Sequence, residues 1–265
     1  HLCDRRQRQM CIRDSNSGMG FLFRPKELPR PASLTFTLDQ AGHTYDDGHV
    51  GLAPTDITIS ELRVAVIGLN GAGKSTLLGL LDGSLKANAG TVTIAGGEER
   101  LDPAVKKDAK RIDNLVGKVR REEIPNSFYQ AANISEAVSE ALKKHKVPES
   151  ERHARIGNLF AHFDLAQVSK AKASELDSEK RHLLAIAAAL SFEPSAIVAD
   201  EPSKGLDEIG AAHVAKALFS YNKQVIFATH DTDMIRRPEY AIDRVLVLDE
   251  HAVAFDGAPA LSLIH

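Results

Sequence analysis

Hydrophobic residues follow two different periods along this chain. Leu34, Phe36 and Leu38 alternate with polar residues, the pattern of a half-buried strand, and Asp46-Asp47-Gly48 supplies a turn toward an antiparallel partner. From Arg63 the run Val64-Ala65-Val66-Ile67 is continuously apolar, as in a strand covered on both faces. A glycine-rich stretch follows, and then Leu77, Leu78, Leu80 and Leu81 at helical spacing. Between Glu122 and Leu190 the pattern is almost wholly helical, with Asn133 and Glu136 spaced as a capping box ahead of Ala137 to Lys144. After Pro194, short apolar runs return at Ala196 to Ala199, Val225 to Ala228 and Val245 to Leu248, with helical stretches between. This alternation predicts an α/β fold with an antiparallel β subdomain and a helical subdomain at about 122–190.

Composition narrows the function. With 265 residues and 43% hydrophobic content, the chain can bury one full core. Aromatics at 5% and no Trp make that core aliphatic, as in buried parallel sheets. Lys and Arg total 33 against 36 Asp and Glu, so no nucleic-acid partner is expected. The longest apolar stretch, Leu183 to Leu190, is far short of the roughly 20 residues of a membrane-spanning helix.

The ends read differently from the body. His1 to Ser15 is rich in Arg and lacks the apolar run of a secretory signal. Met10 to Ser15 can be back-translated to a DNA segment whose reverse complement encodes Leu261 to His265, and that segment resembles a sequencing-library transposon adapter. Residues 1–15 and 261–265 are therefore read as an adapter-derived scar, 16–32 as a linker or mis-called start, and 33–260 as the domain proper. The natural C-terminus is expected to lie beyond about Ala260. Both cysteines, Cys3 and Cys11, fall in the scar, so no disulfide or thiol chemistry is expected.

Three segments carry chemistry. Gly68-Leu69-Asn70-Gly71-Ala72-Gly73-Lys74-Ser75-Thr76 has the phosphate-loop spacing, in which glycines let backbone N–H groups close around a phosphate. Lys74 would neutralise phosphate oxygens and Ser75 would ligate Mg²⁺. Ala196-Ile197-Val198-Ala199-Asp200-Glu201 is an apolar strand ending in two carboxylates, suited to a metal-associated acid and a water-activating base. His230 ends a third apolar strand, where an imidazole could sense a γ-phosphate.

In order and spacing these segments resemble the ATP-binding subunits of ABC transporters, over about Ser33 to Ala260. The resemblance implies a P-loop NTPase core using ATP and Mg²⁺. Gly68 to Thr76 corresponds to the Walker A loop, Asp200 to the Walker B acid, Glu201 to the catalytic base, Asp207 to the D-loop acid and His230 to the switch histidine. Tyr45 matches the aromatic that stacks on adenine. In that family two subunits, in a homo- or heterodimer, close head to tail on two ATP molecules. The stretches Ile57 to Ser75, His182 to Pro202 and Val245 to Pro259 are most similar to energy-coupling-factor ATPases of the biotin and cobalt type. That implies a peripheral position on the cytoplasmic face of the membrane. The implied partners are a transmembrane coupling subunit and a substrate-binding membrane subunit, with a coupling helix in a groove near Asn133 to Lys146.

The chain departs from the family at two places. Its signature segment falls on Leu176-Asp177-Ser178-Glu179-Lys180, where the family's serine and glycines are replaced. Asp177, Ser178 and Glu179 would face the partner's nucleotide at the dimer interface, and a carboxylate there has the wrong charge for a phosphate. The glutamine expected after Val116-Gly117-Lys118-Val119 falls on Arg121, with Gln130 the nearest candidate. Two readings follow: an ATP-hydrolysing importer subunit for a vitamin such as biotin or a metal ion, or a regulatory or catalytically asymmetric subunit with little hydrolysis of its own. A soluble ATPase acting on ribosomes or DNA ranks lowest, because the chain has one phosphate loop, no heptads and an acidic balance.

Overall fold

A computed structural model describes residues 33–120 and 124–259. The scar, the 16–32 stretch and Arg121 lie outside them. The expected hairpin is present as β1 (Thr35–Thr44) and β2 (Val50–Ile59), antiparallel with Phe36 opposite Ile59 and Leu38 opposite Ile57. The sequence reading left out β4 (Ala89–Gly96) and β5 (Glu99–Leu101), which extend the hairpin into a four-stranded sheet ordered β2-β1-β4-β5.

The second sheet holds β3 (Arg63–Gly68), β6 (Val116–Arg120), β7 (Ala196–Asp200), β8 (Gln224–Ala228), β9 (Arg244–Asp249) and β10 (Ala252–Gly257). Its order is β10-β9-β3-β8-β7-β6, parallel throughout except for the β9–β10 hairpin at one edge. β3 and β7 are buried on both faces, as their unbroken apolar runs require. Val64, Val66, Ala196 and Val198 join the core beneath the antiparallel sheet, while Ala65, Ile197 and Ala199 join the core on the opposite side. Helix α1 (Lys74–Leu81) lies in the first of these cores, with Leu77, Leu78, Leu80 and Leu81 fully buried.

The helical region contains α3 (Asn126–Gln130), α4 (Ile134–Lys144), α5 (Glu149–His162) and α6 (Ser178–Leu190), and α2 (Lys106–Leu115) precedes it. The Asn133 side chain accepts from the Glu136 N–H at 2.9 Å and so starts α4 at the expected place. Beyond β7 come α7 (Glu208–Phe219) and α8 (Thr232–Arg236). α6 packs on β6 and α7, so this last helix of the run lies against the sheet core. Every parallel strand therefore points its C-terminal end at one rim, where the chemistry-bearing segments converge.

Candidate active site

The loop from β3 to α1 contains two glycines, Gly68 and Gly73, at positions that leave no room for a Cβ. At Gly68 (φ 153°) a Cβ would come 2.3 Å from the Leu248 carbonyl oxygen, and at Gly73 (φ 102°) one would come 2.5 Å from that of Gly51. Gly73 caps α1 with no side-chain hydrogen bond, and the first turn of α1 carries no acidic residue. The N-terminal N–H groups of this helix thus keep their attraction for an anion.

Lys74 is the first residue of that helix and is buried. Its Nζ donates to the carbonyls of Gly68 at 2.8 Å and Leu69 at 3.1 Å, and lies 3.9 Å from Glu201 Oε1. Glu201 follows the end of β7 with φ 49°, an unusual conformation for a bulky residue. It is held there by its N–H, which donates to the Ala228 carbonyl at 3.0 Å. Its Oε2 is 2.7 Å from Nδ1 of His230, whose ring is largely exposed. A cation, a buried carboxylate and an accessible imidazole are thereby joined from three separate strand ends.

Asp200 is buried, yet its Oδ1 has no hydrogen-bond partner. An unmatched carboxylate oxygen in that position is costly unless a ligand completes it. Tyr45, Asn70, Lys74, Ser75, Asp200 and Glu201 line a single cavity of about 420 Å³, together with Gly71, Gly73 and Thr76. A neighbouring cavity of about 610 Å³ is lined by Gly68, Asn70 and His230. Ala72 is buried beneath the loop.

A family profile described as ABC transporter matches residues 55–204, more than half of the chain. The chain belongs to that family. A putative ABC transporter ATP-binding protein of Deinococcus radiodurans is 33% identical over 226 residues, covering 85% of this chain and 94% of its own. An energy-coupling factor transporter ATP-binding protein of Clostridium perfringens is 29% identical over 227 residues, covering 84% of this chain and 77% of its own. Among solved structures, cbiO1 of Clostridium perfringens, described as part of the ABC transporter complex cbiONQ, matches with a TM-score of 0.71 and 28% identity. That match covers 84% of this chain and 88% of the other. The protein is an ATP-hydrolysing ABC subunit of a transporter, with similarity to the energy-coupling-factor type. Among the described residues, no helix is long and apolar enough to cross a membrane.

Within this ABC subunit the signature segment lies apart from the cavity. Asp177 caps α6: its Oδ1 accepts from the Lys180 N–H at 2.8 Å, and its Oδ2 is 3.4 Å from Lys180 Nζ. The Lys180 N–H holds the Asp177 carboxyl below its ordinary value, because hydrogen bonding favours the charged form. Glu179 Oε1 is 2.9 Å from Nδ1 of His213 on α7. Ser178 begins α6, and its carbonyl is 2.7 Å from Nδ1 of His182. Asp207 is spent likewise, its Oδ1 accepting from Gly210 N–H at 2.8 Å to cap α7. At the end of β6, Arg120 pairs with the fully buried Asp82. Gln130 ends α3 and does not line the cavity.

Tyr45 is found with partners of its own. Its hydroxyl is 3.0 Å from Thr76 Oγ1, and its ring is stacked on His49 at 4.4 Å between centroids. Sequence reasoning missed His49 and His251, which line the same cavity, and assigned no role to Lys204, which lines both cavities. Lys204 sits three residues beyond Glu201, so its sequence position was a usable signal. The two histidines belong to no motif, and only the fold brings them in.

Proposed function

We propose that this ABC ATPase powers an energy-coupling-factor importer for a vitamin such as biotin or a metal ion. In that reading it works at the cytoplasmic face of the membrane, paired with a second ATPase subunit and joined to a coupling subunit and a substrate-binding subunit in the bilayer. The subtype is supported by the energy-coupling-factor relative and by the complex in which cbiO1 takes part. The observation that carries the catalytic part is the Lys74–Glu201–His230 chain beside the unpaired, buried Asp200 oxygen.

Roles follow from that geometry. ATP phosphates take the N–H groups of Gly68 to Thr76, with Asn70 at the mouth of the loop. Lys74 exchanges the Gly68 and Leu69 carbonyls for phosphate oxygens. Tyr45 offers adenine the ring face opposite His49. Glu201, already fixed by Ala228 and His230, accepts a hydrogen bond from the attacking water and orients it. His230 is positioned by Glu201 to meet the γ-phosphate.

Ser75 and Asp200 fit Mg²⁺. One hydroxyl and one buried carboxylate oxygen lacking a partner suit a hard cation that takes its remaining ligands from phosphate and water. The ion would neutralise charge developing on the phosphate oxygens.

A second reading, an asymmetric or regulatory subunit, is favoured by the α6 terminus. Asp177 satisfies that terminus from within and places a negative charge where a partner's phosphate would approach. Two unit charges about 4 Å apart at an effective dielectric near 20 repel by roughly 4 kcal/mol, an upper bound for so exposed a carboxylate.

The test is co-isolation of the tagged full chain from its native membrane, followed by reconstitution in vesicles. The expected result is that integral membrane subunits accompany it and that ATP drives uptake of labelled biotin or cobalt. Recovery with a soluble partner alone, or ATP-driven export, would overturn the importer reading.

A further inference from the structure

β9 and β10 are joined by a two-residue turn, Glu250-His251, with Asp249 opposite Ala252. Both turn residues are left-handed, at φ 43° and 66°. Such turns favour Asn followed by Gly, because a Cβ is strained in this region. A histidine occupies the position where glycine would be easiest. Strain of this kind persists where the surrounding structure over-determines it, often at functional sites.

The turn is tied into the cavity. The His251 carbonyl accepts from the Ala53 N–H on β2 at 2.8 Å. Its Cα stands 3.6 Å from the place a Cβ on Gly73 would occupy, directly before Lys74. His251 lines the 420 Å³ cavity with Lys74 and Ser75, and its Nδ1 is buried with no hydrogen-bond partner. A ring nitrogen withdrawn from water and left unmatched carries a desolvation cost, which a turn of the ring toward the cavity and a ligand hydrogen bond would remove.

The geometry points to His251 as a nucleotide-binding residue that hydrogen-bonds a phosphate oxygen of the bound nucleotide. This rests on the assignment of the Gly68–Thr76 cavity as the nucleotide site. His251 adds a contact from a third element to those from the phosphate loop and the end of β7. It approaches on the Gly73 side of the loop. Because it sits in a hairpin turn outside the phosphate loop, it can be changed without disturbing the glycines.

The turn conformation makes the test clean. His251→Gly removes the ring and relieves the left-handed strain together, so the variant should fold with an unchanged or higher Tm. His251→Asn keeps a residue tolerant of that conformation and retains a side-chain donor. Calorimetric titration of the full chain with ADP should show Kd rising about tenfold in His251→Gly and about threefold or less in His251→Asn. Lys74→Ala is titrated in parallel, and so is 2′-deoxy-ADP. Removing the ribose 2′-hydroxyl should cost the same factor in the chain and in His251→Gly, as a contact to phosphate requires. Unequal factors would move it to the ribose and overturn the phosphate assignment. ADP affinity within twofold of the unaltered chain in His251→Gly, with Lys74→Ala much weakened, would overturn the proposal and leave the site standing. Unchanged affinity in Lys74→Ala would overturn the site reading and the proposal with it.

Discussion

The first turns of α1 and α6 begin alike and end up opposite in charge. α1 is capped by Gly73 without a side-chain bond and has no acid in its first turn. α6 is capped by the Asp177 carboxylate and carries Glu179 one residue into the helix. Both termini expose N–H groups and a positive dipole end. Only the first leaves that capacity open, and the unpaired Asp200 oxygen and the accessible His230 ring stand beside it. At the second, Asp177 takes the Lys180 N–H and Glu179 pairs with His213 of α7. A binding motif therefore depends on bonding capacity the fold leaves unspent, as well as on the identity of its residues.

The sharpest way to separate the two termini is to disable chemistry on the α1 side while leaving binding intact. Glu201→Gln keeps a side chain of the same shape but removes the charged acceptor beside Lys74 and His230. Steady-state ATP hydrolysis is expected to fall by about 100-fold or more, the range for losing a general base. ADP affinity should stay within about threefold. A hydrolysis rate close to that of the unaltered chain would show that Glu201 does not carry the reaction.

Rebuilding the α6 terminus is the next largest effect. Replacing Asp177→Ser, Ser178→Gly, Glu179→Gly and Lys180→Gln together removes two carboxylates and returns the N–H groups to an external anion. In a Glu201→Gln background, sedimentation should show ATP-dependent self-association strengthened by about tenfold, short of the 4 kcal/mol bound because the segment is solvated. Equal self-association before and after would mean that Asp177 and Glu179 do not oppose pairing, and would leave the asymmetric reading without its basis.

What the chain revealed beforehand divides along physical lines. β3, β7, β8 and β9 were legible because strands covered by layers on both sides carry near-continuous apolar runs, and those runs stand out. The Gly68–Thr76 loop was legible because its conformation demands Gly68 and Gly73. β4 was not recognised although Val92 and Ile94 alternate, since Gly90 and Gly96 flank them and read as turn. β10 is an edge strand with no fully buried residue, so its pattern is weak. His251 carried no signal at all, because its role depends on a hairpin turn meeting β2, a contact no local pattern encodes. The charges of Asp177 and Glu179 were visible in the sequence, but their own-helix and α7 partners were not.

The smallest expected effect isolates what Asp177 does for its own helix. Removing an N-cap costs about 1 kcal/mol, so Asp177→Ala should lower Tm by about 2–4 °C at neutral pH. Asp177→Asn retains a capping acceptor and should stay within about 1 °C of the unaltered chain. The carboxyl is held below its ordinary value of 3.8 in the folded state, so its charged form is favoured by folding. The stability this adds is present above the unfolded pKa and is lost as pH falls through the folded one. The Tm deficit of Asp177→Ala should therefore hold from neutral pH down to about 4 and shrink below it. A deficit that is the same at pH 7 and at pH 3 would mean that the cap works through hydrogen-bond geometry alone. The charge at the α6 terminus would then be free to act on a partner and would do nothing for the fold. That outcome would strengthen the contrast with α1, since the carboxylate would oppose an approaching phosphate with no stabilising role of its own.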